Sequence, residues 1–348
     1  MAYTTINKST DYFNTVTYTG NGGTQSITGV GFQPDWTWCK QRNTARNHGL
    51  FDAVRGVTKI LYSNDTSTQG TAATSLTSFN SDGFSCGGET ETNQNGGTYV
   101  AWNWKAGTTS GIATNGATTI TPANYSFNQT SGMSIVNYDG NNTAGAKVAH
   151  GLGATPDMMI VKAMNGGSIH WAIYHKDMGN THYMQFDSNA QLDDAGVWND
   201  TSPDSVNFTV GNSDKTNTVT YIAYCFAEKQ GYSKFGKYSA VGNVDGNFIY
   251  LGFKPSFFLA KRITDGTEPW IMFDNKRNPF NGVDKNLKPS IYEAEATQNP
   301  PSMDFLSNGI KFRNLDGTFS NTAGKEFIYM AFAEAPLVGS NNVPCTAR

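Results

Sequence analysis

The chain reads as an all-β protein of three tandem antiparallel β-sandwich modules, jelly-roll-like, each about a hundred residues long. Three observations predict this. A set of short motifs recurs three times in one order. The apolar segments are short, rich in aromatic and β-branched residues, and bounded by Gly, Asn, Asp or Ser. Gly supplies 37 of 348 residues and aromatics 13%, while charged residues supply 15%, against about 25% in an ordinary soluble chain.

The clearest motif is a strand that starts at Pro and ends at Lys. Pro34-Asp35-Trp36-Thr37-Trp38-Cys39-Lys40 matches Pro156-Asp157-Met158-Met159-Ile160-Val161-Lys162 and Pro255-Ser256-Phe257-Phe258-Leu259-Ala260-Lys261. Bulky apolar residues lie two and four positions after Pro, on one strand face with Lys. The residues between them are also largely apolar, which predicts burial on both faces. Pro suits the strand start, where no ladder donor is needed.

Further pieces surround this strand. Upstream are Tyr18-Thr19-Gly20-Asn21, Tyr138-Asp139-Gly140-Asn141, and Tyr238 leading to Gly242-Asn243; Gly31, Gly153 and Gly252 fall just before Pro. Downstream are Leu50-Phe51-Asp52, Trp171-Ala172-Ile173-Tyr174-His175 and Trp270-Ile271-Met272-Phe273-Asp274. Asp82-Gly83 and Asn308-Gly309 predict hairpin turns with the positive φ that Gly supplies, while Val206–Val210 stands there in the second copy. Each copy closes on a strong strand, Tyr99–Trp104, Tyr221–Phe226 or Phe327–Phe332. Tyr99 follows Pro34 by 65 positions and Tyr221 follows Pro156 by 65, but Phe327 follows Pro255 by 72. The third copy therefore carries an insertion, placed at Asn286–Pro301. It holds the best helix candidate, Ile291–Ala296, one or two turns long.

These landmarks divide the chain into a docking segment at 1–14, repeats at 15–105, 133–228 and 235–335, linkers at 106–132 and 229–234, and a tail at 336–348. The first linker has no charged side chain and reads as a flexible or extended connector. Ile120, Tyr125 and Phe127 predict that part of it lies on a neighbour. The short second linker predicts a defined orientation of repeats two and three, with repeat one offset.

Composition narrows the function classes. Net charge is -3 and pI about 5.9, with no basic block, which argues against bulk nucleic-acid binding. No run of about 18 apolar residues predicts a membrane span. Met1–Lys8 has no apolar core of a secretion signal. Cys39, Cys86, Cys225 and Cys345 lack the paired spacing of a zinc site. They read as reduced thiols, with a Cys39–Cys86 bridge as the main exception.

No catalytic, cofactor or metal site is expected, and none of the following residues outweighs its structural reading. His48 and His150 stand apart. His170, His175 and His182 are close, but His170 and His175 are an odd number apart and face opposite ways on a continuous strand. Asp193, Asp194 and Asp200 offer no partner for a glycosidase pair, and Asp187, Asp193 and Asp194 lack calcium-loop spacing. Asp52 with Arg55 and Asp274 with Arg277 read as local ion pairs in turns. Trp36, Trp38, Trp102 and Trp104 read as core rather than sugar platforms. Trp198 reads as an exposed loop aromatic suited to partner contact.

The words Tyr18-Thr19-Gly20-Asn21-Gly22-Gly23, Gly31-Phe32-Gln33-Pro34-Asp35-Trp36, Phe51-Asp52-Ala53-Val54-Arg55-Gly56 and Ser78–Phe84 resemble a repeat family of marine, cyanophage-type bacteriophage tail fibre and virion structural proteins. Val148–Gly153 and Tyr329–Pro336 resemble its later copies, and Val343–Arg348 its ending. The resemblance covers nearly the whole chain. It implies a non-enzymatic virion component, assembled in the host bacterial cytoplasm and placed in a tail fibre or tail-associated appendage. The implied partners are other virion proteins, a host-surface glycan and further copies of the chain, a homotrimer by analogy with fibres. Relatives often carry extra attachment domains, and here only residues 1–14 could serve, which leaves a capsid decoration protein or head fibre as the second expectation. A glycan depolymerase is the third.

Overall fold

The computed structural model describes residues 3–188, 191–194, 196–265, 268–314, 322–339 and 343–346. Among them strands dominate and the one α-helix, Thr90–Asn93, is a single turn. Met1, Ala2, Ala347 and Arg348, the ends of the expected docking segment and tail, lie outside the described residues.

One strand order occurs three times. In the first sheet Phe13–Thr19 lies beside Thr98–Trp104, then Trp36–Gln41, then His48–Asp52. The second sheet repeats this with Met133–Asp139, Thr220–Phe226, Met158–Ala163 and Ala172–His175. The third uses Ser233–Ser239, Glu326–Pro336, Phe253–Arg262 and Ile271–Asp274. All these pairings are antiparallel, and their registers correspond: Trp36 opposes Trp104, Met158 opposes Phe226, and Phe257 opposes Phe332.

Each Pro-to-Lys strand is buried on both faces. One face of each large sheet packs on a small sheet of its own repeat. In the first repeat Cys39, Tyr99 and Ala101 meet Ile27, Leu76 and Phe84. The second sets Val161 and Tyr221 against Val148 and Phe208, and the third sets Phe258 and Phe327 against Ile249 and Ile310.

The other three faces pack on one another. Trp36, Trp38, Trp102 and Trp104 share a single cluster with Ile160, Tyr224 and Phe226 and with Phe257, Leu259 and Phe332. Trp36 stacks on Trp104 at 4.4 Å and on Tyr224 at 4.6 Å, and Phe13 on Phe332 at 5.1 Å. Burying each large side chain here stabilises the fold by on the order of 2–3 kcal/mol. Alternation along the strand supplies one apolar face for the small sheet and one for this shared centre. The first repeat is therefore not offset, because its tryptophans fill the middle of the molecule.

The connections are fixed as well. Within 106–132, Asn124–Asn128 joins the second sheet as a strand, and Ile120 and Phe127 are buried. The second linker turns at Lys229–Ser233 and buries Tyr232 in the shared core. The described part of the N-terminal segment docks within the chain. Tyr3 Oη donates to Gly252 O at 2.6 Å, Thr4 Oγ1 donates to Gln230 O at 2.6 Å, and Ile6 enters the shared core.

Two local expectations change. Ile291–Ala296 forms no helix; it is an irregular stretch ending in the short strand Ala296–Thr297. The hairpins exist, but their central residues are Ser81-Asp82 and Ser307-Asn308, with Gly83 opposite Asn80 and Gly309 opposite Leu306. Gly83 has the expected positive φ, +140°, and close approach constrains both glycines. A Cβ on Gly83 would lie 2.1 Å from Ile27 O, and one on Gly309 would lie 2.0 Å from Ile249 O.

Candidate functional site

The polar chemistry collects at the seams between the three sheets. The turn after His48–Asp52 holds Asp52 against the Arg55 Nε, and Arg55 Nη2 donates to Leu50 O at 2.8 Å. The other Asp52 ligand comes from the second repeat: Tyr224 Oη donates to Asp52 Oδ2 at 2.7 Å. The third repeat matches this. Arg277 Nε binds Asp274 Oδ2 at 2.5 Å, and Trp102 Nε1 of the first repeat donates to the same oxygen at 3.1 Å. In the second repeat the equivalent residue is His175, whose Nε2 lies 3.2 Å from Tyr329 O in the third. Its Nδ1 accepts from Asp177 N at 3.2 Å, so Nε2 carries the proton and donates.

These links run from first to third, third to second and second to first. A head-to-tail contact that closes after three steps forms a ring, here within one chain. Two further donors run along the same circuit. Trp171 Nε1 donates to Tyr62 O at 3.0 Å and Trp270 Nε1 donates to Gln185 O at 2.8 Å, with His48 in the corresponding place in the first repeat. Lys162 Nζ also crosses a seam, donating to Thr66 O at 2.8 Å and to Ile169 O.

Burial shifts these groups. Desolvation pushes Lys40 and Lys162 down to about 8 and Lys261 down to about 7. It pushes His150 and His175 down to about 4 and His48 well below its ordinary value. Each of these ammonium groups donates to main-chain carbonyls, so the shift accompanies a structural role. Lys162 crosses to the first repeat, whereas Lys40 and Lys261 donate within their own repeats.

The insertion of the third repeat explains itself here. Its Glu295 reaches the first repeat, where Arg42 Nε and Nη2 bind its two carboxylate oxygens at 2.9 Å each. Arg277 Nη1 adds a contact at 3.2 Å, Glu295 N donates to Arg42 O at 2.8 Å, and Ser63 Oγ donates to Pro289 O at 2.7 Å. The arginines hold the Glu295 carboxyl below its ordinary value despite burial.

Two clefts open at equivalent seams. One of about 380 Å³ lies between Gln33, Asp35, Lys105, Thr109, Asn124 and Tyr125. The other, about 280 Å³, lies between Thr10, Asn14, Ser256, Asn275, Lys276 and Glu334. At the third seam Lys176 binds Asp157 at 3.0 Å and Glu228 at 3.5 Å, with Lys234 on Glu228 at 3.2 Å. The open clefts present amides, hydroxyls, one cation and one carboxylate, a set suited to hydrogen-bonding a neutral polar ligand. Asp35 is not free for acid–base work, since Ala106 N and Ser126 Oγ donate to its two oxygens at 2.8 and 2.9 Å.

The candidates singled out along the chain separate as follows. His170 binds Asp187 at 3.0 Å, His182 binds Asp193 at 3.2 Å, and His175 is buried elsewhere. Asp194 accepts from Val197, Trp198 and Asp200 N and so shapes its own loop. Among the described residues no three metal-ligating side chains converge. All four cysteines are free thiols, Cys39 and Cys86 included. Trp198 is 1% exposed and packs edge-on against Tyr174, so it is core and offers nothing to a partner. The local Asp–Arg pairs were legible from their spacing of three. Their cross-sheet donors, Tyr224 and Trp102, were not, because nothing along the chain brings positions 172 residues apart together.

The chain belongs to a family described as a domain of unknown function (DUF7483), whose model matches residues 8–336. One family unit thus spans all three sheets, as expected for repeats that share a core. No curated protein and no solved structure matches the chain.

Proposed function

We propose that this chain is a non-enzymatic structural protein of a bacteriophage virion, part of a tail fibre or tail-associated appendage, and that it takes part in assembly and host-surface attachment. What carries the reading is the set of family-like words around Tyr18, Pro34, Phe51 and Phe79. The use of the buried charges supports it. The Asp52, Asp274, Glu295 and Lys162 groups tie sheet to sheet. A surface poor in charge meets neutral partners without the salt sensitivity of ion pairs. The two seam clefts are the proposed glycan contacts.

The fibre analogy also implies a homotrimer. The inner faces of three sheets are already buried within one chain, so a homotrimer would be built from outer surfaces. A capsid decoration protein or head fibre is the second reading, favoured by the internal ring of three, which suits a threefold position on a shell.

Quantitative mass spectrometry of purified virions separates these readings. A few to a few dozen copies per particle indicate the tail, and hundreds indicate the head. Absence from the particle would overturn both.

A further inference from the structure

The three small outer sheets differ at one edge, and the difference points to a docking strand. In the second repeat the edge strand Ala146–Ala149 is covered by an added segment. Thr119 N and Ile120 N donate to Lys147 O at 3.0 and 2.9 Å, and Ala149 N donates to Ile120 O at 3.2 Å. Ile120 lies parallel to the strand and is 7% exposed. Chain from the preceding linker thus closes the edge.

The equivalent strand of the third repeat is Phe248–Tyr250. The correspondence follows from register: Val148 opposes Phe208 as Ile249 opposes Ile310. Phe248 and Tyr250 therefore stand where Lys147 and Ala149 stand. Phe312 N donates to Asn247 O and Leu251 N donates to Asn308 O. Antiparallel alternation then turns the main-chain groups of Phe248 and Tyr250 away from the sheet. Among the described residues no main-chain group pairs with that edge.

The side chains sharpen the contrast. Bare edges are ordinarily protected by charge, above all by Lys. The second repeat has Lys147 beneath its cover, and the first has Ser26. In the third repeat Phe248 is 47% exposed and Tyr250 52%, with Val241 and Val244 exposed in the loop before them. In that loop Asp245 binds Lys311 at 2.7 Å.

We infer that the Phe248–Tyr250 edge accepts an extended, uncharged segment of a partner protein. That segment pairs in parallel and presents a β-branched apolar residue between hydroxyl residues, as Thr119-Ile120-Thr121 does in the second repeat. Main-chain pairing supplies affinity and the aromatic pair supplies selectivity. This inference does not depend on the virion reading.

The test is an amide-resolved NMR titration of the ¹⁵N-labelled full chain. The probe is an end-blocked peptide copying Gly116–Pro122. The Phe248 and Tyr250 amides should shift and saturate. Phe248→Lys and Tyr250→Lys should each weaken the apparent affinity at least tenfold, while Ser26→Lys leaves it unchanged. Both side chains are half outside the fold, so the variants stay folded, which the same spectra report. No shift at millimolar peptide would overturn the inference, as would a shift that survives both lysines. Concentration-dependent dimerisation lost in the lysine variants would also overturn it, by assigning the edge to a second copy.

Discussion

Replacing Tyr224 by Phe tests the ring of seam contacts most directly. Tyr224 is fully buried, and its hydroxyl donates to Asp52 Oδ2 at 2.7 Å across the first and second sheets. The substitution removes one oxygen and leaves the ring stacked on Trp36 at 4.6 Å. Asp52 keeps Arg55 but loses the cross-sheet donor Tyr224. A hydrogen bond to a buried charged group contributes about 1.5–3 kcal/mol. At about 2.1 cal/mol/K of unfolding entropy per residue, a chain of 348 residues loses roughly 1.4 °C of Tm per kcal/mol, so Tyr224→Phe should melt roughly 2–4 °C lower. The assay is thermal and urea unfolding, each followed by tryptophan fluorescence and far-UV circular dichroism. Because the three sheets share one core, both probes should report one transition that shifts as a whole. In a double-mutant cycle, Tyr224→Phe with Asp52→Asn should couple by at least about 1 kcal/mol. Tyr224→Phe with Glu295→Gln, at another seam, should be additive. Coupling under about 0.5 kcal/mol, or two transitions of which only one moves, would refute a closed ring.

Three further outcomes follow from the same geometry. Glu295→Ala leaves Arg42 and buried Arg277 without their shared carboxylate, and should destabilise by about 3 kcal/mol in urea unfolding; an unchanged midpoint would show that the insertion does not clamp the first repeat. Gly83→Ala and Gly309→Ala place a Cβ about 2 Å from a main-chain carbonyl and should cost several-fold more stability than Gly56→Ala, where φ is +86° but nothing lies within 4 Å and the expected cost is about 1 kcal/mol. Acid should weaken the fold through His150 and His175. Both are held neutral to about pH 4, whereas an unfolded imidazole protonates near 6.5. Between those values the unfolded chain binds the extra protons, so stability falls as pH falls, by up to about 3 kcal/mol per histidine. Unfolding midpoints from pH 7 to 4.5 should therefore slope downward, and His175→Gln should flatten that slope; equal slopes would remove His175 from the account.

Much of this was legible along the chain because it is local. The Pro-to-Lys strand, its burial on both faces and the Asp–Arg turns all follow from spacing and period-two alternation. Ile120 and Phe127 correctly marked part of the first linker as packed. Trp198 was misread because a polar loop composition hides a buried ring, and Ile291–Ala296 because good helix formers do not outweigh the pull of Glu295 towards Arg42 and Arg277. The clefts were not legible at all, since their walls come from separate repeats.

The amino-acid sequence by itself determined that this is an all-β chain whose strand pattern occurs three times, since alternation and turn chemistry act over a few residues. Only the tertiary structure decided what the second apolar face of each strand is for. A strand buried on both faces requires something to cover it, but its sequence does not say what. Here the cover is the other two repeats, and their mutual contact puts Tyr224 on Asp52, Trp102 on Asp274 and His175 on Tyr329. Among the described residues it also leaves the Phe248–Tyr250 edge without the segment that covers Ala146–Ala149 in the second repeat.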